Sequence, residues 1–271
     1  MGQNVRVRKV LIGLLAAVTS LIVVAVGADF GAAIYAEYRW ARSVRAANGL
    51  DFDPWVGILG FPFVTQARGR HYREVEIRAG GVEHPVAGKA SLESTFHSVD
   101  LTDTSWLIGP DAKLPVGKLE SRIIVDSTHL GRYMGIKDLL VEAPRKETND
   151  ATGGTTESGI SNNKGLVFTG TPSAAGYDDK VSISVDLSVA GTDETTLVFT
   201  ATGVLTGAGT ADREVPEGER AAVLKAFSGT MPGMKLPFGV APTSEGARGS
   251  DIIIEGITTG VTVALDGFRQ A

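Results

Sequence analysis

Four histidines are the first place to look for chemistry, and their spacing argues against it. His71, His84 and His97 recur at intervals of thirteen, and His129 stands apart. No two of them share a helical face or form the close doublet that metal ligation uses, so they read as surface or strand histidines. Two carboxylates brought together by folding can cleave a glycosidic bond without any sequence motif. Asp51 with Asp53 and Asp178 with Asp179 are the candidates for a glycan-acting enzyme, although acids in Gly-bounded turns are more often solvated turn residues. No Gly-x-Ser-x-Gly elbow is present, and neither Gly88-Lys89 nor Gly117-Lys118 has the surroundings of a phosphate loop. The chain has no cysteine, which excludes disulfides, thiol catalysis, Cys-ligated metals and a lipid-modified N-terminal Cys. Apart from those acid pairs, the sequence nominates no catalytic residue, no metal ligand set and no cofactor.

The informative surplus is apolar. Trp55, Phe61, Phe63, Trp106, Met231, Met234, Leu236 and Phe238 all fall near Gly or Pro rather than within regular alternation. Each alone suits a plug at the end of a β-layer; together they suit an apolar groove for acyl chains, with Met thioethers adapting its shape. Phe61, Pro62, Phe63, Trp106, Met234, Leu236 and Phe238 are the expected groove walls. Pro62 withholds a ladder donor and favours an extended Phe61, which predicts a strand entrance or a sheet edge there. Arg68, Arg70 and Arg73 are expected either to meet a lipid phosphate at the rim, where the guanidinium fork fits, or to be solvated strand-turn charges.

The elements that must position these residues begin with a membrane-directed segment. Arg6, Arg8 and Lys9 precede nineteen uncharged residues from Val10 to Ala28, and Asp29 ends the run. At about 1.5 Å per residue such a run crosses about 30 Å of hydrocarbon. Val26-Gly27-Ala28 also offers small residues to a signal peptidase, so residues 1–28 fit both a cleaved signal peptide and a retained anchor. With the tail inside, everything after Ala28 is exported. Residues 29–49 follow as a juxtamembrane helix with Arg39, Arg42 and Arg45 at every third position. Overall 26 Lys and Arg face 31 Asp and Glu, which gives no basic field for nucleic acid.

From about residue 50 the pattern becomes period two. Val75, Ile77 and Ala79 alternate with charged residues, and Val181, Ile183, Val185, Leu187 and Val189 alternate with Ser and Asp, the mark of sheets with one dry face. Further strands are expected over 89–101, 117–127, 165–169, 195–205, 251–254 and 260–265. Short helices are expected over 130–139 and 216–227. Residues 146–164 are polar and Gly-rich and read as a mobile insertion. The expectation is a mostly β (α+β) domain at 50–271.

The block Gly60-Phe61-Pro62-Phe63-x-Thr65-Gln66, followed by Gly69, Tyr72 and Val75, resembles the actinobacterial exported family that includes the mannan chain length control protein, the LmeA-like family. Leu236 to Val240 and the closing Gly-Val-x-Val strand are also similar to that family, and the resemblance covers roughly residues 35 to 268. It implies a long curved antiparallel sheet wrapping a helix, as in tubular lipid-binding proteins. It also implies a periplasmic, cell-envelope, non-enzymatic phospholipid-binding role. Phosphatidylinositol species, or a lipoglycan precursor, would be the ligand, in support of mannan elongation in lipomannan and lipoarabinomannan. Separately from the resemblance, a non-catalytic scaffold is an alternative role, with membrane glycosyltransferases as its candidate protein partners. The polar insertion at 146–164 departs from the family pattern.

Overall fold

A computed structural model describes residues 2–144 and 159–269. Among the described residues the main elements follow one another in this order: α1 (Gly2–Asn48), β1 (Trp55–Leu59), α2 (Phe63–Arg68), β2 (His71–His84), β3 (Gly88–Asp100), β4 (Lys113–Asp126), α3 (Ser127–Met134), β5 (Leu140–Glu142), β6 (Leu166–Gly170), β7 (Val181–Ala190), β8 (Thr196–Leu205), α4 (Glu217–Ala226), β9 (Gly229–Met231), β10 (Ser244–Arg248) and β11 (Asp251–Ala264).

The protein is mostly β, as its period-two segments require. Its strands form two antiparallel sheets, one of order β1-β2-β3-β4-β11-β10 and one of order β5-β6-β7-β8-β9. The two strands expected at 251–254 and 260–265 are one continuous strand, β11, which pairs with β4 from Asp251↔Asp126 to Ala264↔Lys113. Alternation builds the core directly. Ala90, Leu92 and Phe96 of β3 point inward, as do Val181, Ile183, Val185 and Leu187 of β7, and side chains from both sheets share one apolar cluster.

The helix α1 changes character along its length. Over its apolar part the mean hydropathy reaches 2.5 across 18 residues and none of that window is buried in the protein. Beyond it, Ala36, Trp40, Ala41 and Val44 are buried, a helical-period stripe facing the first sheet. Polar side chains fix this stripe in place. Ser43 Oγ donates to Ile108 O at 2.6 Å, Asn48 Nδ2 to Leu265 O at 2.7 Å, and Ile58 N donates to Glu37 Oε1 at 2.9 Å. Trp40 packs 6.5 Å from the Tyr72 ring, while its buried Nε1 has no acceptor among the described residues. Removing that unmet donor while keeping an aromatic ring should be cheap. Trp40→Ala is expected to cost about 3–5 kcal/mol through the cavity, and Trp40→Phe only about 1 kcal/mol, read by urea denaturation.

Two local expectations need correction. The Phe61-Pro62-Phe63 block, expected at a strand entrance or sheet edge, instead leads into the helix Phe63–Arg68: Pro62 occupies the N-cap with φ −77° and ψ 140°, and the helix is capped by a side chain from α1. Within the expected mobile insertion, residues up to 158 lie outside the described ones, but its end is docked. Ser161 N donates to Ala247 O at 2.9 Å, Ala247 N donates to Ser161 Oγ at 2.9 Å, and Ile160 is buried against Ile124 and Ile253 on the outer face of the first sheet.

Candidate functional site

The residues singled out in the sequence gather at two places. The first is the junction of α1 and α2. Asp29, at the end of the apolar run, turns its buried carboxylate onto the start of α2, where Oδ2 accepts from Phe63 N at 2.8 Å and Oδ1 from Val64 N at 2.7 Å. Backbone donators that open a helix have no partner within it, so Asp29 acts as a cap supplied from a distant element. Gln66 locks the other side: its Nε2 donates to Gly60 O at 2.9 Å and its Oε1 accepts from Arg73 N at 2.9 Å. A Cβ at Gly60, whose φ is +105°, would lie 3.0 Å from that Nε2, so glycine is needed there.

This framework sends the two phenylalanines opposite ways. Phe63 is buried, 5.8 Å from the Tyr72 ring and 6.1 Å edge-on from Trp106. Phe61 is exposed and stacks on Phe30 of α1 at 5.9 Å. Pro62 is exposed between them. Of the three arginines, Arg70 donates to Thr102 O at 2.8 Å, and Arg68 and Arg73 are exposed around the α2–β2 turn. They surround this junction and are not part of the second place.

The second place is the segment joining β9 to β10, residues 232–243, which lies across the dry face of the first sheet. Met234 and Leu236 are buried, and Phe238 packs 5.2 Å from Phe96 and 5.8 Å from Phe268. The sheet makes room with small residues. Ser121 of β4 pairs with both Ser94 of β3 and Gly256 of β11, and a Cβ on Gly256 would come within 2.4 Å of Ala241 O and 2.7 Å of Leu236 Cδ1.

A cleft opens on each side of this segment. One, of about 480 Å³, is walled by Leu119, Phe238, Val240, Ile257 and Val263. The other, of about 450 Å³, has an apolar floor of Val82, Ala90, Leu92 and Ile123, and His84, Lys235 and Arg269 stand at its edge. His84 ties that edge together. Its Nδ1 accepts from Ala87 N at 2.9 Å and Val86 N at 3.2 Å, so the ring proton sits on Nε2, which donates to Gly233 O at 2.9 Å. The sequence did not single out this cleft, because it joins the β2–β3 hairpin, the 232–243 segment and the last described residue, Arg269. Lys235, inside the apolar Met234–Phe238 stretch, was the available signal.

The ionisable groups elsewhere make structure rather than chemistry. Asp53 pairs with Arg45 at 3.2 Å and Asp179 with Arg213, both at the surface, while Asp51 and Asp178 are exposed. On the wet face of the first sheet, Arg122 Nε donates to Glu255 Oε2 at 2.6 Å and its Nη2 donates to Glu120 Oε2 at 2.5 Å. Burial works against the Arg122 charge, but Glu255 and Glu120 outweigh it and hold the guanidinium above its ordinary value. Glu120 is likewise lowered: burial opposes its charge, but a bond from Lys118 and the charges of Arg122, Lys118 and His97 prevail. Burial raises the Tyr72 phenol, whose OH donates to Trp106 O at 3.1 Å. Among the described residues, no three of His, Asp and Glu converge to hold a metal ion.

A family model described as LmeA-like phospholipid-binding matches residues 27–257. No curated protein and no solved structure matches the chain.

Proposed function

The chain belongs to the LmeA-like phospholipid-binding family, and from that premise we propose that it holds a phospholipid without catalysing any reaction on it, at the cleft between the β2–β3 hairpin and residues 232–243. The carrying observation is the pairing of an apolar floor with a cationic edge. Val82, Ala90, Leu92 and Ile123 suit methylene groups, and Lys235 and Arg269 suit a phosphodiester. A volume of about 450 Å³ falls within the ordinary range of ligand pockets, about 300–1,000 Å³. Longer acyl chains would extend past Met234, Leu236 and Phe238 toward the second cleft.

The N-terminal helix is long and apolar enough to cross a membrane, by length and composition. In this proposal it holds the domain on the outer side of the plasma membrane, in the cell envelope, beside its lipid supply. Phosphatidylinositol or a mannosylated derivative of it is the proposed ligand. Support of mannan elongation, by presenting that lipid to membrane glycosyltransferases, is the proposed task.

Native mass spectrometry of the full chain released from nanodiscs tests the reading. One phosphatidylinositol is expected to remain bound in preference to phosphatidylcholine. Two further changes are expected to reduce its occupancy about tenfold or more: charge reversal in a Lys235→Glu, Arg269→Glu variant, worth at least one charge-assisted contact, and filling of the floor by Ala90→Phe. Recovery of the unaltered chain with no lipid, and no uptake of added phosphatidylinositol, would overturn it.

A further inference from the structure

The α1–α2 junction carries an apolar surface that lipid binding in the cleft does not use. Phe30 is 56%, Ile34 64%, Phe61 55% and Val64 41% exposed. Exposed apolar residues scattered singly mean little, but these adjoin one another. Phe61 is stacked on Phe30, and Val64 N is bonded to Asp29, the neighbour of Phe30. The patch is thus continuous with the exposed apolar flank of α1 that runs back through Val26, Val24 and Val23.

That continuity fixes its height. Phe30 lies two residues beyond Ala28, about 3 Å along a helix axis, whereas the headgroup layer on each side of a bilayer is about 5–8 Å deep. The first charge after the apolar run does not oppose entry, because the Asp29 carboxylate is buried and both its oxygens accept from the backbone of α2. One turn behind Val64, at i+4 on α2, Arg68 is exposed. An apolar tip with a cation one turn above it is the pattern of an element lying in the interface, with arginine reaching phosphates.

We propose that the tip formed by Phe30, Phe61 and Val64 inserts into the outer headgroup layer of the bilayer that α1 crosses, with Arg68 on lipid phosphates. Asp29 then joins anchor and domain rigidly instead of through a linker. The four long strands of the first sheet extend away from the membrane. The inference rests on α1 being a retained anchor, and the test separates the two.

The absence of cysteine allows a single spin label to be placed at will. Full-length Val64→Cys is labelled in nanodiscs of phosphatidylcholine and phosphatidylglycerol, and its collision rates with oxygen and with a water-soluble nickel chelate are compared. Leu21→Cys serves as the in-span reference. Ser250→Cys, in the β10–β11 turn at the far end of strands about 45 Å long, serves as the water reference. The expected result is a label at 64 that is rich in oxygen and shielded from nickel, like Leu21 and opposite to Ser250. Phe61→Cys gives a second reading at an exposed position where α2 is undisturbed. Labels at 61 and 64 open to nickel, while Leu21 is in lipid, would overturn the docking and leave the anchor standing. Leu21 open to nickel as well would overturn both.

Discussion

Gly256→Val is expected to lower stability by about 3–5 kcal/mol and to release the 232–243 segment from the first sheet. The first atom added already collides: a Cβ would sit 2.4 Å from Ala241 O, 2.7 Å from Leu236 Cδ1 and 2.8 Å from Val240 Cγ1. The nearest is a backbone atom, which no rotamer change can move, and Thr243 N is tied to Glu255 O at 2.8 Å, so the segment cannot slide along β11. Overpacking alone costs about 1–3 kcal/mol, and lifting Leu236 out of its buried site adds a share of the about 2–5 kcal/mol that losing such a side chain costs. Gly203→Ala, where the added carbon meets nothing within 4 Å, provides the contrast, with a change expected within about 0.5 kcal/mol. Urea denaturation reads both, and trypsin reads the mechanism, since a lifted segment is cut faster after Lys235. Equal loss in the two variants, or an unchanged cut, would refute the idea that the small-residue row seats this segment.

The same segment shows what a sequence can and cannot disclose. The dry faces of β2 and β7 were legible because alternation is a local property, and each inward residue carries its own signal. The apolar weight of Met234, Leu236 and Phe238 was equally plain. Their placement was not, because it depends on Ser94, Ser121 and Gly256, residues on three strands whose smallness means nothing until the strands are in register. The Phe61-Pro62-Phe63 block failed in a different way. Its local chemistry favours extended backbone, yet α2 begins there because Asp29, more than thirty positions earlier, supplies the acceptor. From the sequence, Asp29 was visible only as the charge ending an apolar run. The same cap explains why two neighbouring aromatics, read together as groove walls, part company, one into the core and one onto Phe30 at the surface.

The second large effect lies on the opposite face of the first sheet, where Glu255→Ala is expected to cost about 3 kcal/mol, since removing one member of a buried ion pair leaves the desolvated Arg122 with Glu120 as its remaining acidic partner. Glu255 and Arg122 are both largely shielded from water, and their 2.6 Å bond joins β11 to β4. Replacing the pair by hydrophobic residues of similar size, Arg122→Met with Glu255→Leu, is expected to recover most of that loss, because two desolvation costs disappear together. The pH dependence distinguishes this account from simple packing. Glu120 is held below its ordinary value partly by Arg122, so its contribution is complete above about pH 4.3 and is lost as pH falls through its lower folded value. Without Arg122 the depression shrinks, and the double variant should lose less stability than the unaltered chain on acidification from pH 6 to about pH 3. Asp251 has the opposite sign. Burial and the charge of Asp126 raise its carboxyl, so it favours the folded state more as pH falls, but both groups are unchanged in the double variant and cancel in the comparison. Urea titrations across this range give the difference directly, and parallel acid slopes in the two proteins would show that Arg122 is not what holds Glu120 ionised.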